Sequence, residues 1–249
     1  MRQSLSRRCF SALLSVSLIG LCASTLAQEL KPIRIALIGD STQTERQGYG
    51  IGFCANLVPA VTCINNAKGG ASTKTYRRDG LWDRALAGKP DWMLIQFGHN
   101  DVESKAHADR ETKLETEYPA NLRRYIEEAR AAGIKPILVT SIARRYYQPN
   151  GKIEDDLMGH VAAMKKVAEE MQVPLLDLHA LSVERMEALG EVEGHKLGLT
   201  KLDAEGKTVP DKTHFNLAGS YVFGRIVAEG MARSVPELAP YVKTSPAQP

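Results

Sequence analysis

Two rhythms of apolar and polar positions run along this chain. Short, nearly continuous apolar runs occur at Ile33–Ile38, Val61–Ile64, Trp92–Phe97, Ile137–Val139 and Val173–Leu178, and these read as buried strands. Between them, apolar residues recur every three or four positions. Tyr118, Leu122, Ile126 and Ala129 share one helical face, which Gly133 stops. Ile153, Leu157, Val161, Met164, Val167 and Met171 repeat at the same interval and predict an amphipathic helix. Ile51–Val58 predicts a helix ended by Pro59, and Leu81–Leu86 a short one. Asn216 is placed to cap a last helix running through Val222, Phe223, Ile226 and Val227.

Strands alternating with helices predict an α/β fold: a five-stranded parallel sheet with helices on both faces, joined by right-handed crossovers. That is a single three-layer α/β/α domain. The sequence holds no internal repeat, low-complexity tract or second domain. Two stretches without pattern, roughly 98–115 and 190–213, read as long loops, and loops of that length usually carry function.

The first residues belong to a different class. Arg2, Arg7 and Arg8 precede an uncharged, largely apolar run from Cys9 to Leu26, and Thr25-Leu26-Ala27 offers a small-x-small cleavage site. Residues 1–27 are therefore expected to be an export signal and residues 28–249 the mature domain, periplasmic or extracellular. Ser6-Arg7-Arg8-Cys9-Phe10 also resembles a twin-arginine signal, so the export route stays open. Bulky Leu21 ahead of Cys22 speaks against a lipoprotein anchor, and no stable membrane span is expected once the signal is removed.

Removing the signal also changes the charge. The full chain of 249 residues carries a formal +3, and the three arginines before Ala27 have no acidic counterpart there, so the mature part is near neutral. No basic stripe with interleaved aromatics is present, which excludes nucleic acid as the expected partner. Of four cysteines, Cys54 and Cys63 remain after cleavage. In an oxidising compartment a bridge between them, joining a helix to the next strand, is the favoured reading over two buried thiols. No Cys/His cluster has zinc-site spacing.

Candidate chemistry sits in four separated blocks: Gly39-Asp40-Ser41-Thr42, Asn65 to Ser72, Gly98-His99-Asn100-Asp101 and Asp211-Lys212-Thr213-His214. Ser41 and Asn100 fall just past strand ends, the edge at which open α/β sheets build their sites. Ser41 supplies a hydroxyl, which needs an adjacent base to act as a nucleophile. His214 is the base candidate, with Asp211 three residues earlier to hold its tautomer. The Ser41 and Gly70 N–H groups and the Asn100 amide are candidate donors to an oxyanion. Each block alone is read at least as well as an ordinary turn. Together, and in this order, they outline the parts of ester hydrolysis.

Arg144 and Arg145 follow the fourth strand and are candidates for contact with an acidic sugar, a solvated loop being the alternative. His99 is expected to support the Asn100 loop, and His107, His160, His179 and His195 to be surface or packing residues. Gly48-Tyr49-Gly50-Ile51-Gly52 lacks the spacing of a dinucleotide fingerprint, and no Gly-x-Ser-x-Gly elbow is present.

The four blocks resemble the SGNH (GDSL-type) hydrolase superfamily. Phe97-Gly98-His99-Asn100-Asp101, Asp211 to Asn216 and Ile142-Ala143-Arg144-Arg145 with the following tyrosine pair are most similar to its rhamnogalacturonan acetylesterase branch, over residues 33–233. Ala71 departs from that branch, where many members have arginine. The resemblance implies a flavodoxin-like sheet and Ser41 as nucleophile, with Asp211 and His214 completing a triad. It implies Ser41, Gly70 and Asn100 as oxyanion donors, no cofactor and no metal. The expected activity is removal of acetyl groups from a plant-type polysaccharide or its oligosaccharides by a monomer. The alternatives are a general esterase acting on lipid or aryl esters, and a catalytically silent glycan-binding module.

Overall fold

The structure is a computed structural model, and it describes residues 29–249. The predicted signal segment and its cysteines, Cys9 and Cys22, lie outside the described residues. The central sheet has five parallel strands: β1 (Ile33–Gly39), β2 (Val61–Asn65), β3 (Trp92–Gln96), β4 (Lys135–Val139) and β5 (Leu175–Leu176), in the order β2-β1-β3-β4-β5. All five pair as the apolar runs predict, because strands buried on both faces have no polar side to alternate. Register runs Ile35 against Cys63 and Trp92, and Trp92 against Lys135.

Helices cover both faces. On one side α1 (Gly50–Ala55), α6 (Leu178–Lys196) and α7 (Leu217–Ser234) bury Phe53, Met186, Phe223 and Val227 against Ile35, Leu37 and Val139. On the other α2 (Thr73–Arg78), α3 (Leu81–Ala87), α4 (Glu117–Ala131) and α5 (Met158–Glu170) bury Tyr76, Trp82, Tyr125 and Met164 against Ala36, Ile38 and Ile95. The helices α1 and α7 touch backbone to backbone. A side chain at Gly52 or Gly224 would collide with the main chain of the opposite helix. Cys54 of α1 and Cys63 of β2 form a disulfide with Cα atoms 5.6 Å apart.

Several elements differ from expectation. The fifth strand is only Leu175–Leu176, because Asp177 turns the chain and caps α6 by accepting from the Ala180 N–H. The helix α6 itself was not predicted. It has little amphipathic signal and kinks at Gly190, whose φ is 74°. The predicted loop at 190–213 is the end of α6 followed by a hairpin, β6 (Gly198–Leu202) against β7 (Thr208–Phe215). Its strands are half exposed on both faces, so they show no apolar alternation. The helix α5 starts at Met158 rather than Ile153, which instead bridges Tyr147. Likewise α1 stops at Ala55, and Leu57 bridges Val242. The stretch after β3 is a loop as expected.

With this strand order the chain leaves β1 and β3 in opposite lateral directions. A crevice therefore opens beyond their carboxyl ends.

Candidate active site

The end of β1 sets the first part of the site. Gly39 is followed by Asp40, whose carboxylate accepts from the Thr42 N–H at 2.8 Å and the Thr42 hydroxyl at 2.7 Å. These bonds wind Ser41–Gln43 into a single tight turn and leave Ser41 at the crevice. Beneath it lies a fully buried polar chain. Tyr49 donates to Gln96 at 2.7 Å, and Gln96 donates to Thr42 at 2.6 Å. On the other side of Asp40, His99 Nδ1 lies 3.4 Å away. Burial alone would raise the Asp40 pKa. The neighbouring His99 and the Thr42 bonds outweigh burial and hold it below the ordinary carboxylate value.

The second part comes from the far end of the chain. His214 Nε2 lies 2.8 Å from Ser41 Oγ, and His214 Nδ1 lies 2.8 Å from Asp211 Oδ2. The other Asp211 oxygen accepts the N–H groups of Thr213 at 2.7 Å and His214 at 2.9 Å. The turn therefore closes on its own carboxylate. Burial opposes the charge on Asp211, but the His214 side-chain bond and the two backbone bonds drive its pKa well below the usual range. Phe215 anchors this turn. Its ring is buried 4.6 Å from that of Phe223, and its N–H donates to Gln47 O.

The third part is the loop after β2. Lys68 N–H donates to Gly39 O at 2.9 Å, which holds the loop against the end of β1. A Cβ built on Gly69 would lie 4.0 Å from Ser41 Cβ, and Gly70 adopts a left-handed φ of 77°. The Asn100 amide donates to Ala71 O at 3.0 Å and lines the same pocket as Ser41 and His214. The pocket has a volume of about 330 Å³, and its walls also include Arg110, Arg144 and Tyr146.

Of the two arginines expected to meet substrate, Arg144 is in place. It reaches Asp156 at 2.8 Å, Thr213 Oγ1 at 2.8 Å and His99 O at 3.2 Å at the pocket wall. Arg145 is not: its side chain is completely buried. It donates to the carbonyls of Asp211 and His214 at 2.5 and 2.6 Å, and its guanidinium lies 4.8 Å from the Phe215 ring centroid. Burial lowers its pKa to about 10 against the pull of Asp211. A three-residue turn, in which Tyr146 N–H donates to Arg144 O at 2.9 Å, sends one arginine outward and the next inward. Arg145 braces the Asp211–His214 turn and cannot touch a ligand.

His99 is buried beside Asp40 and also lines the pocket. His160 is buried edge-on to Tyr118, and His179 is held by Asp155 at 3.2 Å. Sequence reasoning missed Gln96, Tyr49, Arg110 and Tyr146. Gln96 left a signal as the one polar residue in an otherwise apolar strand run. Among the described residues no cluster of three His, Cys, Asp or Glu is arranged to hold a metal ion, and no helix is long and apolar enough to cross a membrane.

A hydroxyl bonded to an imidazole, itself bonded to a carboxylate, is the arrangement of acyl-transfer chemistry. Residues 37–221 match the GDSL-like Lipase/Acylhydrolase family model. The chain belongs to this family. It is 35% identical over 215 residues to rhamnogalacturonan acetylesterase RhgT of Bacillus subtilis (strain 168), covering 81% of this chain and 90% of that protein. As a GDSL-like acylhydrolase with such a relative, the chain is an esterase. Among solved structures it is similar to Axe2, an acetylxylan esterase from Geobacillus stearothermophilus, with 20% identity, TM-score 0.58, and coverage of 86% and 98% of the two chains. It is also similar to the Bacillus subtilis protein YXIM, with 22% identity, TM-score 0.67, and coverage of 84% of this chain and 58% of that one. These two likenesses concern the fold.

Proposed function

We propose that this GDSL-like esterase is an exported carbohydrate O-acetylesterase acting on a pectin-like, rhamnogalacturonan-type polysaccharide or its oligosaccharides. The observation that carries this reading is the unbroken hydrogen-bond line from Ser41 Oγ through His214 to Asp211 at the mouth of a polar pocket. The 35% identity to a rhamnogalacturonan acetylesterase supports the substrate class.

In the proposed mechanism Ser41 Oγ attacks the acetyl carbonyl carbon while its proton passes to His214 Nε2. The half-buried, strongly acidic Asp211 remains ionised and steadies the imidazolium. The N–H groups of Ser41 and Gly70 and the amide of Asn100 receive the oxyanion. As the carbon–oxygen bond to the sugar breaks, His214 returns the proton to the departing sugar hydroxyl. Water, deprotonated by His214, then attacks the acetyl-enzyme, releasing acetate and restoring Ser41. No step calls for a cofactor.

The export proposal rests on the basic and apolar segment at residues 1–27, and the Cys54–Cys63 disulfide fits an oxidising compartment. A pocket walled by charged and polar side chains gives a lipid tail little to bury against.

The test is acetate release from acetylated rhamnogalacturonan, acetylated xylan and a triglyceride, by the wild type and by Ser41→Ala. The reading expects fastest release from rhamnogalacturonan and loss of at least about 10³-fold in kcat in the folded Ser41→Ala protein. Full activity in that variant, or preference for the triglyceride, would overturn it.

A further inference from the structure

The pocket beside Ser41 contains a cation that the ester chemistry does not use. Arg110 lines the pocket, and a Cβ built on Gly70 would stand 3.0 Å from its Nη1. The guanidinium therefore sits against the glycine turn that adjoins the Ser41 hydroxyl. Among the described residues it makes no side-chain hydrogen bond or ion pair. The two acids of the pocket wall, Glu103 and Asp156, lie beyond ion-pair distance from it, and Asp156 is engaged by Arg144. The other arginines of this region are occupied: Arg144 by Asp156, Thr213 and His99, and Arg145 by the carbonyls beneath the Asp211–His214 turn.

The loop carrying Arg110 is nevertheless tied down on both sides of it. Arg110 N–H donates to His107 O at 3.0 Å, and Ser104 N–H donates to Glu111 Oε2 at 3.0 Å. Lys74 Nζ donates to Glu111 O at 2.6 Å, and the Thr112 hydroxyl donates to Asp101 at 3.0 Å. The backbone is braced while the charged end of the side chain stays available. A guanidinium held in that way is a ready partner for a planar anion such as a carboxylate, which it can engage with two parallel N–H bonds.

An acetyl ester is neutral and has no anion to offer, so the anion must come from elsewhere on the substrate. We infer that Arg110 is a specificity-determining residue whose guanidinium binds the carboxylate of a uronic acid unit adjoining the acetylated sugar. This assignment rests on the carbohydrate acetylesterase reading proposed above. It separates a uronate-bearing glycan from a neutral one such as xylan by charge rather than by shape. Charge-assisted hydrogen bonds to a partly exposed guanidinium correspond to about tenfold in affinity or more, and they weaken with salt.

The experiment compares one acetylated rhamnogalacturonan oligosaccharide in two forms: with free uronate carboxylates, and with the carboxylates methyl-esterified. Wild type, Arg110→Gln and Arg110→Lys are assayed on both, with circular dichroism and Tm checking each fold. The expected result is a wild-type kcat/KM about tenfold or more higher for the free acid, carried by KM and shrinking between 50 mM and 500 mM salt. In Arg110→Gln the ratio between the two forms should fall to about one, and Arg110→Lys should restore part of it. A wild-type ratio of one, or a ratio unchanged in folded Arg110→Gln, overturns the role of Arg110 and leaves the esterase reading intact. A wild type that releases acetate from neither form, while hydrolysing a small aryl acetate, overturns the carbohydrate reading and this inference with it.

Discussion

Asn100 places two demands on one amide. One N–H of Nδ2 is taken by Ala71 O at 3.0 Å, which fixes the side chain against the loop after β2. An amide nitrogen carries two hydrogens, so a second donor is left for a substrate oxygen. Asn100→Ala should lower kcat by about 10²–10³-fold with a small change in KM, the signature of a donor used mainly in the transition state. Steady-state kinetics on an aryl acetate check this, and an unchanged kcat would remove Asn100 from the oxyanion site. At this scale Ser41, Gly70, Asn100, Asp211 and His214 were named from four blocks taken together and from the resemblance those blocks carry. Side-chain direction was not. Arg144 and Arg145 are chemically alike in the sequence, and only burial separates the one at the pocket from the one beneath it.

At the scale of elements, Asp101 joins the loop after β3 to the start of α2. Its carboxyl accepts from Thr73 Oγ1 at 2.5 Å, from Thr73 N–H at 3.1 Å and from Thr112 Oγ1 at 3.0 Å. Complete burial pushes its pKa up to about 7, against the lowering effect of those bonds. In the unfolded chain an aspartate ionises near pH ~3.9. The folded state therefore holds a proton that the unfolded state has lost in between. The stabilising contribution is full below that lower value and is lost as pH rises through about 7. Asp101→Asn removes the titration, so its Tm should gain on the wild type steadily from pH ~4 to ~8. A constant Tm difference across that range would show that Asp101 does not take up a proton on folding.

Elements also show where pattern reading works. The strands β1 to β4 were readable as nearly continuous apolar runs, and the helices α4 and α7 because each buries a periodic apolar set. The helix α2 was missed because six residues hold too few turns to show a period, and its start is marked by the Ser72–Thr75 capping box instead. The hairpin β6–β7 was missed because strands exposed on both faces need no alternation.

On the scale of the molecule, the Cys54–Cys63 bridge spans a sequence separation of 9 and ties α1 to the edge strand β2. Closing so short a loop in the unfolded chain is worth about 2–3 kcal/mol. Replacing both cysteines with serine should lower Tm by several degrees, and thermal melts with and without reductant on the wild type should show the same fall. Equal melting of oxidised and reduced protein would mean that the bridge does not stabilise the fold.

The chain by itself determined the five strands of the parallel sheet, most of the helices that cover it and the chemical parts of the site. Those depend on residue type and on apolar periods within a few turns, and both are local. Tertiary structure decided what lies next to what. Ser41 and His214 are 173 positions apart and meet at 2.8 Å because the chain returns to lay β7 against the turn that follows β1. It also decided that Arg145 is sealed under the turn while Arg110 stays half-exposed at the pocket, since burial is a property of the packed assembly and no single segment encodes it.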